Sequence, residues 1–257
     1  MAIETPSPDP FEFIAKVERA YARLMESARP GQETGLGGAL LYAGELDGES
    51  RALITAANIA GAASLAATAD RAAQKQAIRD GIADFLVNSL DESLRILKNQ
   101  LRKREPVAVC AGLEPVAVER EMAERGVRPD ILRAALFPQV EAQFGITSAE
   151  SAIVAWSAAA ASARWLPKLD ALAMECLDEN AWRERRWLRL APRYLGRLAQ
   201  GFRLVRCAPT HAVMFVEKVR AEAMSGTIGT AIEIRLQYAD GHVEHCRIAP
   251  HRLESAS

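Results

Sequence analysis

From Gly38 to Asp130 short apolar runs alternate with helical stretches, and that alternation limits the folds open to this chain more than any other feature. Ala39-Leu40-Leu41-Tyr42-Ala43, Ser64 to Ala69, Phe85-Leu86-Val87 and Val107 to Cys110 read as strands. Arg51 to Ala60, Arg71 to Ile82, Leu90 to Arg104 and Pro115 to Arg125 read as the helices between and after them. Strands joined through helices of this length form βαβ units and a parallel sheet. The runs are continuously apolar rather than alternating, as expected of strands covered on both faces. Ser89 followed by Glu92 is a capping box that opens the third of these helices.

Around this segment the pattern differs. Residues 11–27 carry Phe11, Ile14, Val17, Tyr21 and Leu24 at helical spacing, and Arg29-Pro30-Gly31 stops them. Beyond Pro138, Ser148 to Leu166 reads as a helix holding Ala158-Ala159-Ala160-Ala161 between Trp156 and Trp165. Helix continues through residues 170–200, with breaks expected at Pro167 and Pro192. A helix from Val213 to Met224, a strand from Thr230 to Leu236, the turn Ala239-Asp240-Gly241 and a return strand from His242 to Ile248 complete the chain, the last three as a hairpin. The expected fold is α/β: a Rossmann-like parallel sheet flanked by helices, a helical segment, and a small C-terminal α+β element. The expected divisions are an arm over 1–37, the sheet domain over 38–140, the helical segment over 141–207 and the last element over 208–257.

The turn after the first strand is Gly44-Glu45-Leu46-Asp47-Gly48-Glu49-Ser50. Folds that hold a phosphate at this place offer it glycines and the free N–H groups of a helix N-terminus. Three carboxylates repel one. Glu45, Asp47 and Glu49 could instead hold a divalent cation, but capping of the following helix is the simpler role, and no metal site is expected.

The segments Tyr42-Ala43-Gly44, Ser64 to Asp70, Ala83 to Glu92 and Arg125-Gly126-Val127-Arg128-Pro129-Asp130 together resemble the NAD-binding, Rossmann-like domain of urocanase (urocanate hydratase) over residues 38–132. The resemblance places the family's glycine loop on Glu45 to Ser50, keeping Gly44 and Gly48. It places the ribose-binding acid on Thr68, with Asp70 two residues further on, and the polar loop after the last strand on Arg133 to Gln139. The catalytic cysteine of the family has no counterpart here. What this implies is a urocanase-related domain that has lost NAD binding and hydratase activity and acts as a binding or oligomeric scaffold. No cofactor is then expected. The alternative is an enzyme or sensor that holds a small ligand, NAD or a related nucleotide among the candidates, at the old cleft through Gly44, Asp47, Gly48, Thr68 and Asp70.

Other groups point to no specific catalytic residue. Cys110, Cys176, Cys207 and Cys246 lie far apart and read as reduced thiols. His242, His245, Cys246 and His251 lie on or near one strand, where alternation sends His242 and Cys246 to one face and His245 to the other, a poor start for a metal site. Between Trp182 and Arg206 stand eight arginines and one acid, Glu184, interleaved with Trp182, Trp187, Tyr194 and Phe202. That mixture can stack bases and hold phosphates. In a chain of formal net charge −1, pairing of those arginines with acids of the same chain or a partner is the expected role, and nucleic-acid binding the lesser one. A homo-oligomer or a protein partner is expected. The acidic, proline-containing start lacks the basic-then-apolar pattern of a signal peptide, and no apolar stretch reaches the roughly 20 residues of a membrane span, so the expected location is the cytoplasm.

Overall fold

The computed structural model describes residues 10–28, 34–136 and 151–250. It divides into two compact units, Met1–Ala142 and Gln143–Ser257. The expected helix stop at Arg29-Pro30-Gly31, the end of the loop over residues 137–139, and His251 lie outside the described residues.

The first unit runs α1 (Pro10–Glu26), β1 (Leu40–Glu45), α2 (Gly48–Ala60), β2 (Ala63–Ala67), α3 (Arg71–Arg79), β3 (Phe85–Val87), α4 (Leu90–Lys103), β4 (Val107–Ala111), α5 (Pro115–Glu124), β5 (Ile131–Leu132) and α6 (Arg133–Leu136). Its five strands form one parallel sheet in the order β3-β4-β2-β1-β5. The Rossmann-like sheet read from the apolar runs is therefore present. On one face Leu40, Tyr42, Leu65 and Val109 pack with Leu90, Leu94 and Leu97 of α4 and Val118 and Met122 of α5. On the other face lies α2, itself packed against α1, which is why α2 is buried at every position from Ala52 to Ala60. A helix covered by a sheet on one side and a helix on the other cannot be amphipathic, and its Ala-rich sequence lets both neighbours come close.

The direction of winding reverses within this sheet. From β1 to β2 to β3 the chain moves one way, and from β3 to β4 to β5 it moves back. Right-handed crossovers then put α2 and α3 on one face and α4 and α5 on the other. Consequently the loops leaving the neighbouring strands β2 and β4 part to opposite faces, which makes the crevice at their carboxyl ends the place where this architecture takes ligands.

The second unit runs β6 (Ala152–Ala158), α7 (Ser162–Cys176), α8 (Trp182–Tyr194), a 3-10 turn (Gly196–Gln200), β7 (Arg203–Cys207), α9 (Pro209–Met224), β8 (Ile232–Tyr238) and β9 (Val243–Ile248). The strands form an antiparallel sheet in the order β7-β6-β8-β9. The hairpin expected at Asp240-Gly241 joins β8 to β9, with Gly241 at φ 85°. Of the helix expected over Ser148 to Leu166 only Ser162 to Leu166 is helical, as the start of α7, and residues 148–150 lie outside the described residues; Ala152 to Ala158 is instead the strand β6, between β7 and β8. Its run Ala152-Ile153-Val154-Ala155-Trp156 is buried at every residue: β7 and β8 flank it, α7 and α9 pack against it, and α8 packs against β7. Pro167 and Pro192, expected as breaks, both lie inside helices. Each removes one backbone bond, and buried neighbours, Leu166 and Leu169 in α7 and Leu188 and Ala191 in α8, hold the helices together around them.

Candidate functional site

At the end of β1 the register against β2 slips between Tyr42 and Gly44, and Gly44 takes φ 71°, a conformation that favours glycine. The bulge turns the chain into α2, where Asp47 is the N-cap. Its Oδ1 accepts from the Ser50 amide at 2.8 Å, and the Glu49 amide also donates to the carboxylate. Its Oδ2 meets the Arg133 guanidinium at 2.8 Å. Burial pushes the Asp47 pKa up, but the two amides and Arg133 outweigh it, and the carboxyl stays below its ordinary value. Arg133 also donates to Ser50 Oγ at 2.8 Å, and that hydroxyl donates to Ala43 O at 2.7 Å, tying α2 to the bulged strand. Ser50 is thus a buried tie inside the first turn of α2. Glu49 faces outward to Lys16 of α1.

A second group sits at the ends of β2 and β4. Thr68 is buried and accepts from the Asp70 amide at 3.3 Å, while Asp70 turns away to cap α3 through the Ala72 amide at 2.7 Å. The buried Gln74 of α3 sends its amide back to Thr68 O at 2.8 Å. Gly112, following β4, donates to Val87 O at 2.7 Å. A Cβ on Gly112 would come within 3.2 Å of Asn88 Oδ1 and 3.3 Å of Gln74 Nε2. Asn88 and the buried Gln74 thus stand close against Gly112 at the ends of β2 and β4. The Leu46 amide donates to Ala67 O at 3.0 Å and connects the two groups. Gly44, Asp47 and Gly48 therefore stand together at the β1 turn, and Thr68 and Asp70 stand at the β2 turn. Ser89 caps α4 through the Glu92 amide, as the capping box implies.

Residues 17–135 match the urocanase Rossmann-like domain. The match begins inside α1 and reaches α6, wider at both ends than the resemblance legible from the strand and turn segments. The site described here is the carboxyl edge of that urocanase-like unit. Two residues that shape it gave little sequence signal. Arg133 stood in a mostly apolar loop, and Gln74 stood in a helix rich in alanine and polar residues. Cys110 of this unit is buried, and burial, with Glu45 adding to it, pushes its thiol up to about 11. A thiol held protonated in that way is a packing group and not a nucleophile.

In the second unit, Arg203 Nε donates to Asp170 Oδ2 at 2.9 Å, and Arg185 donates to the carbonyls of Leu177 and Asp178 at the end of α7. Arg183 lies over the Trp182 ring and Arg193 over the Tyr194 ring. These four arginines thus make local contacts within the unit. A pocket of about 380 Å³ opens where α8 and α9 begin, lined by Asn180, Trp182, Arg183 and Cys207 and by His211, whose Nε2 is 3.2 Å from Asp178. Sequence patterns did not reveal it, because its two stretches are far apart along the chain. Just before β9, His242 lies 3.3 Å from Glu244, and among the described residues no group of histidines, cysteines and acids could hold a metal. No helix among the described residues is long and apolar enough to cross a membrane.

Proposed function

We propose that this chain is built on a urocanase-related domain that has given up NAD and hydratase chemistry and serves as a binding or oligomeric scaffold. The observation that carries the reading is the crowding at Gly112: Asn88 and Gln74, the latter held on Thr68 O, stand against it where the fold would seat a dinucleotide. Thr68 replaces the acid that would take the ribose hydroxyls, and Asp70 is spent on its own helix. At the β1 turn, amides and arginine that would suit a pyrophosphate are engaged by Asp47, and exposed Glu45 and Glu49 add like charge. These residues do not fit the cofactor. Calorimetric titration of the purified chain with NAD tests the reading, with no saturable heat expected; tight stoichiometric binding would overturn it.

A second reading keeps a small neutral or cationic ligand at the same edge. It is favoured by the open space over Gly44 and Gly48, where an added Cβ would meet nothing within 4 Å, beside the carboxylates of Glu45 and Glu49. Saturable chemical-shift changes at Gly44 and Gly48 with a small organic cation, absent with sodium, are its expected signature.

A further inference from the structure

α8 is anchored in the second unit by Trp187, Leu188 and Ala191, all buried, with the Trp187 indole donating to Leu204 O at 2.6 Å. Helical spacing then sets Trp182, Arg185, Arg189 and Arg193 in one line on the side away from that anchor. Arg185 is bound to the carbonyls that end α7. Arg189 and Arg193 are exposed, and so is Arg197 beyond the turn at Gly196. Arg51, Arg125, Arg133, Arg203 and Arg220 each find a carboxylate. Among the described residues, the side chains of Arg189, Arg193 and Arg197 find neither an acid nor a hydrogen bond, Arg193 lying only over the Tyr194 ring. The pairing expected from the sequence is thus not made at these three. A guanidinium in the open offers phosphate a planar fork of donors. Two of them four residues apart on a helix are about 6 Å apart along its axis, a step that an extended phosphodiester chain can follow.

At the head of the same line the half-buried Trp182 lines the pocket of about 380 Å³, together with Asn180 and Arg183, whose guanidinium lies over the indole. Ring and guanidinium plane are both surfaces on which an unstacked base rests, and Asn180 carries a donor and an acceptor for a base edge. Asp178 and Glu184 also line the pocket and oppose a phosphate there, so the pocket suits the base and the arginines suit the backbone. A lipid surface is a poorer partner, because α8 exposes no large apolar side chain for it to bury. We propose that the outward side of α8 is a track for single-stranded nucleic acid, with Arg189, Arg193 and Arg197 on phosphates and one base seated at Trp182. The track uses side chains of the second unit alone, so it stands or falls apart from the NAD question in the first.

The experiment is a fluorescence-anisotropy titration of the full chain against a labelled oligodeoxythymidine of about 12 nucleotides, repeated over a series of sodium chloride concentrations, with polyglutamate as competitor. Wild type should bind saturably at low salt, and log K should fall against log salt with a slope of about −2, from ~0.7 per phosphate at three arginines. Arg189→Gln combined with Arg193→Gln removes two exposed charges and should weaken binding about tenfold or more while reducing the slope by about 1.4. Trp182→Leu keeps apolar bulk without the ring, and should weaken binding about tenfold with the slope unchanged; Trp182→Phe should keep most of the affinity. A flat titration of folded wild type at low salt, or a double arginine variant that binds like wild type, overturns the proposal. So does Trp182→Leu binding like wild type, or polyglutamate displacing the oligonucleotide at matched charge, since the track would then belong to an acidic protein.

Discussion

Trp156 Nε1 donates to Asp170 Oδ1 at 3.3 Å, linking the central strand of the antiparallel sheet to α7 through a carboxylate that also holds Arg203. Both members of the ion pair are largely buried. Losing the carboxylate leaves the guanidinium and the indole N–H without it, and breaking a buried pair in this way costs about 3 kcal/mol. Asp170→Ala should therefore lower the denaturant midpoint of the second unit markedly, while Asp170→Asn, which can still accept from the indole, should lower it less. Urea titration followed by tryptophan fluorescence reads both.

Acid should act on the two described carboxylates in opposite senses. Asp47 has a folded pKa below its ordinary 3.8, so its contribution is present above that value and disappears as pH falls through the folded pKa. Asp170 is shifted the other way, since its burial outweighs the attraction of Arg203. The native state there binds its proton more tightly than the unfolded chain, so this stabilising contribution is full below 3.8 and is lost as pH rises through the folded pKa. Replacing Asp47 by Asn should flatten the acid side of the stability profile below about pH 4, as measured by thermal melts across that range.

Ala161 precedes α7 with φ 52°, and its side chain is exposed. A non-glycine residue in the left-handed region pays about 1 kcal/mol or more. Ala161→Gly should accordingly raise the melting temperature of the second unit by relieving that strain, less the added flexibility of glycine in the unfolded chain. A drop in melting temperature would show that the conformation is not strained.

The crowding at Gly112 makes a coupled prediction. Gly112→Ala brings a methyl against Asn88 and Gln74, and tight insertions of this kind cost about 1 kcal/mol or more. In a Gln74→Ala background the same change should cost less, because one of the two crowded neighbours is gone. Chemical denaturation of the four proteins in a double-mutant cycle measures the difference, and strict additivity would mean that Gln74 does not crowd Gly112.

The first unit was readable because its inner strands β1, β2 and β4 are mostly buried on both faces and separated by helices with clear stops, while β3 and β5 at the edges expose Phe85, Leu86 and Leu132. Leu40 to Tyr42 and Val107 to Cys110 have no other stable use in a chain of this length. Residues 152–156 were misread because a short apolar run has no period of its own. The alanines that follow, with Trp156 and Trp165 nine residues apart, supplied a helical rhythm that belongs partly to β6 and partly to α7. At the site, the acidic turn was legible, since like charge in one loop is local information. Arg133 and Gln74 were not, because their meaning depends on which loops the sheet order brings together.

That sheet order has a consequence for synthesis. β1 takes β2 on one side and β5 on the other, so the strand made first has one edge that is completed last. A nascent chain that has emerged only as far as α5 carries Leu41 and Tyr42 with unpaired backbone groups, a hazard of any open strand edge. Ile131 and Leu132 close it, and Arg133 then reaches Asp47. Premature termination anywhere before Ile131 would leave a nearly complete domain with a sticky seam, which is a better substrate for chaperones than for partners.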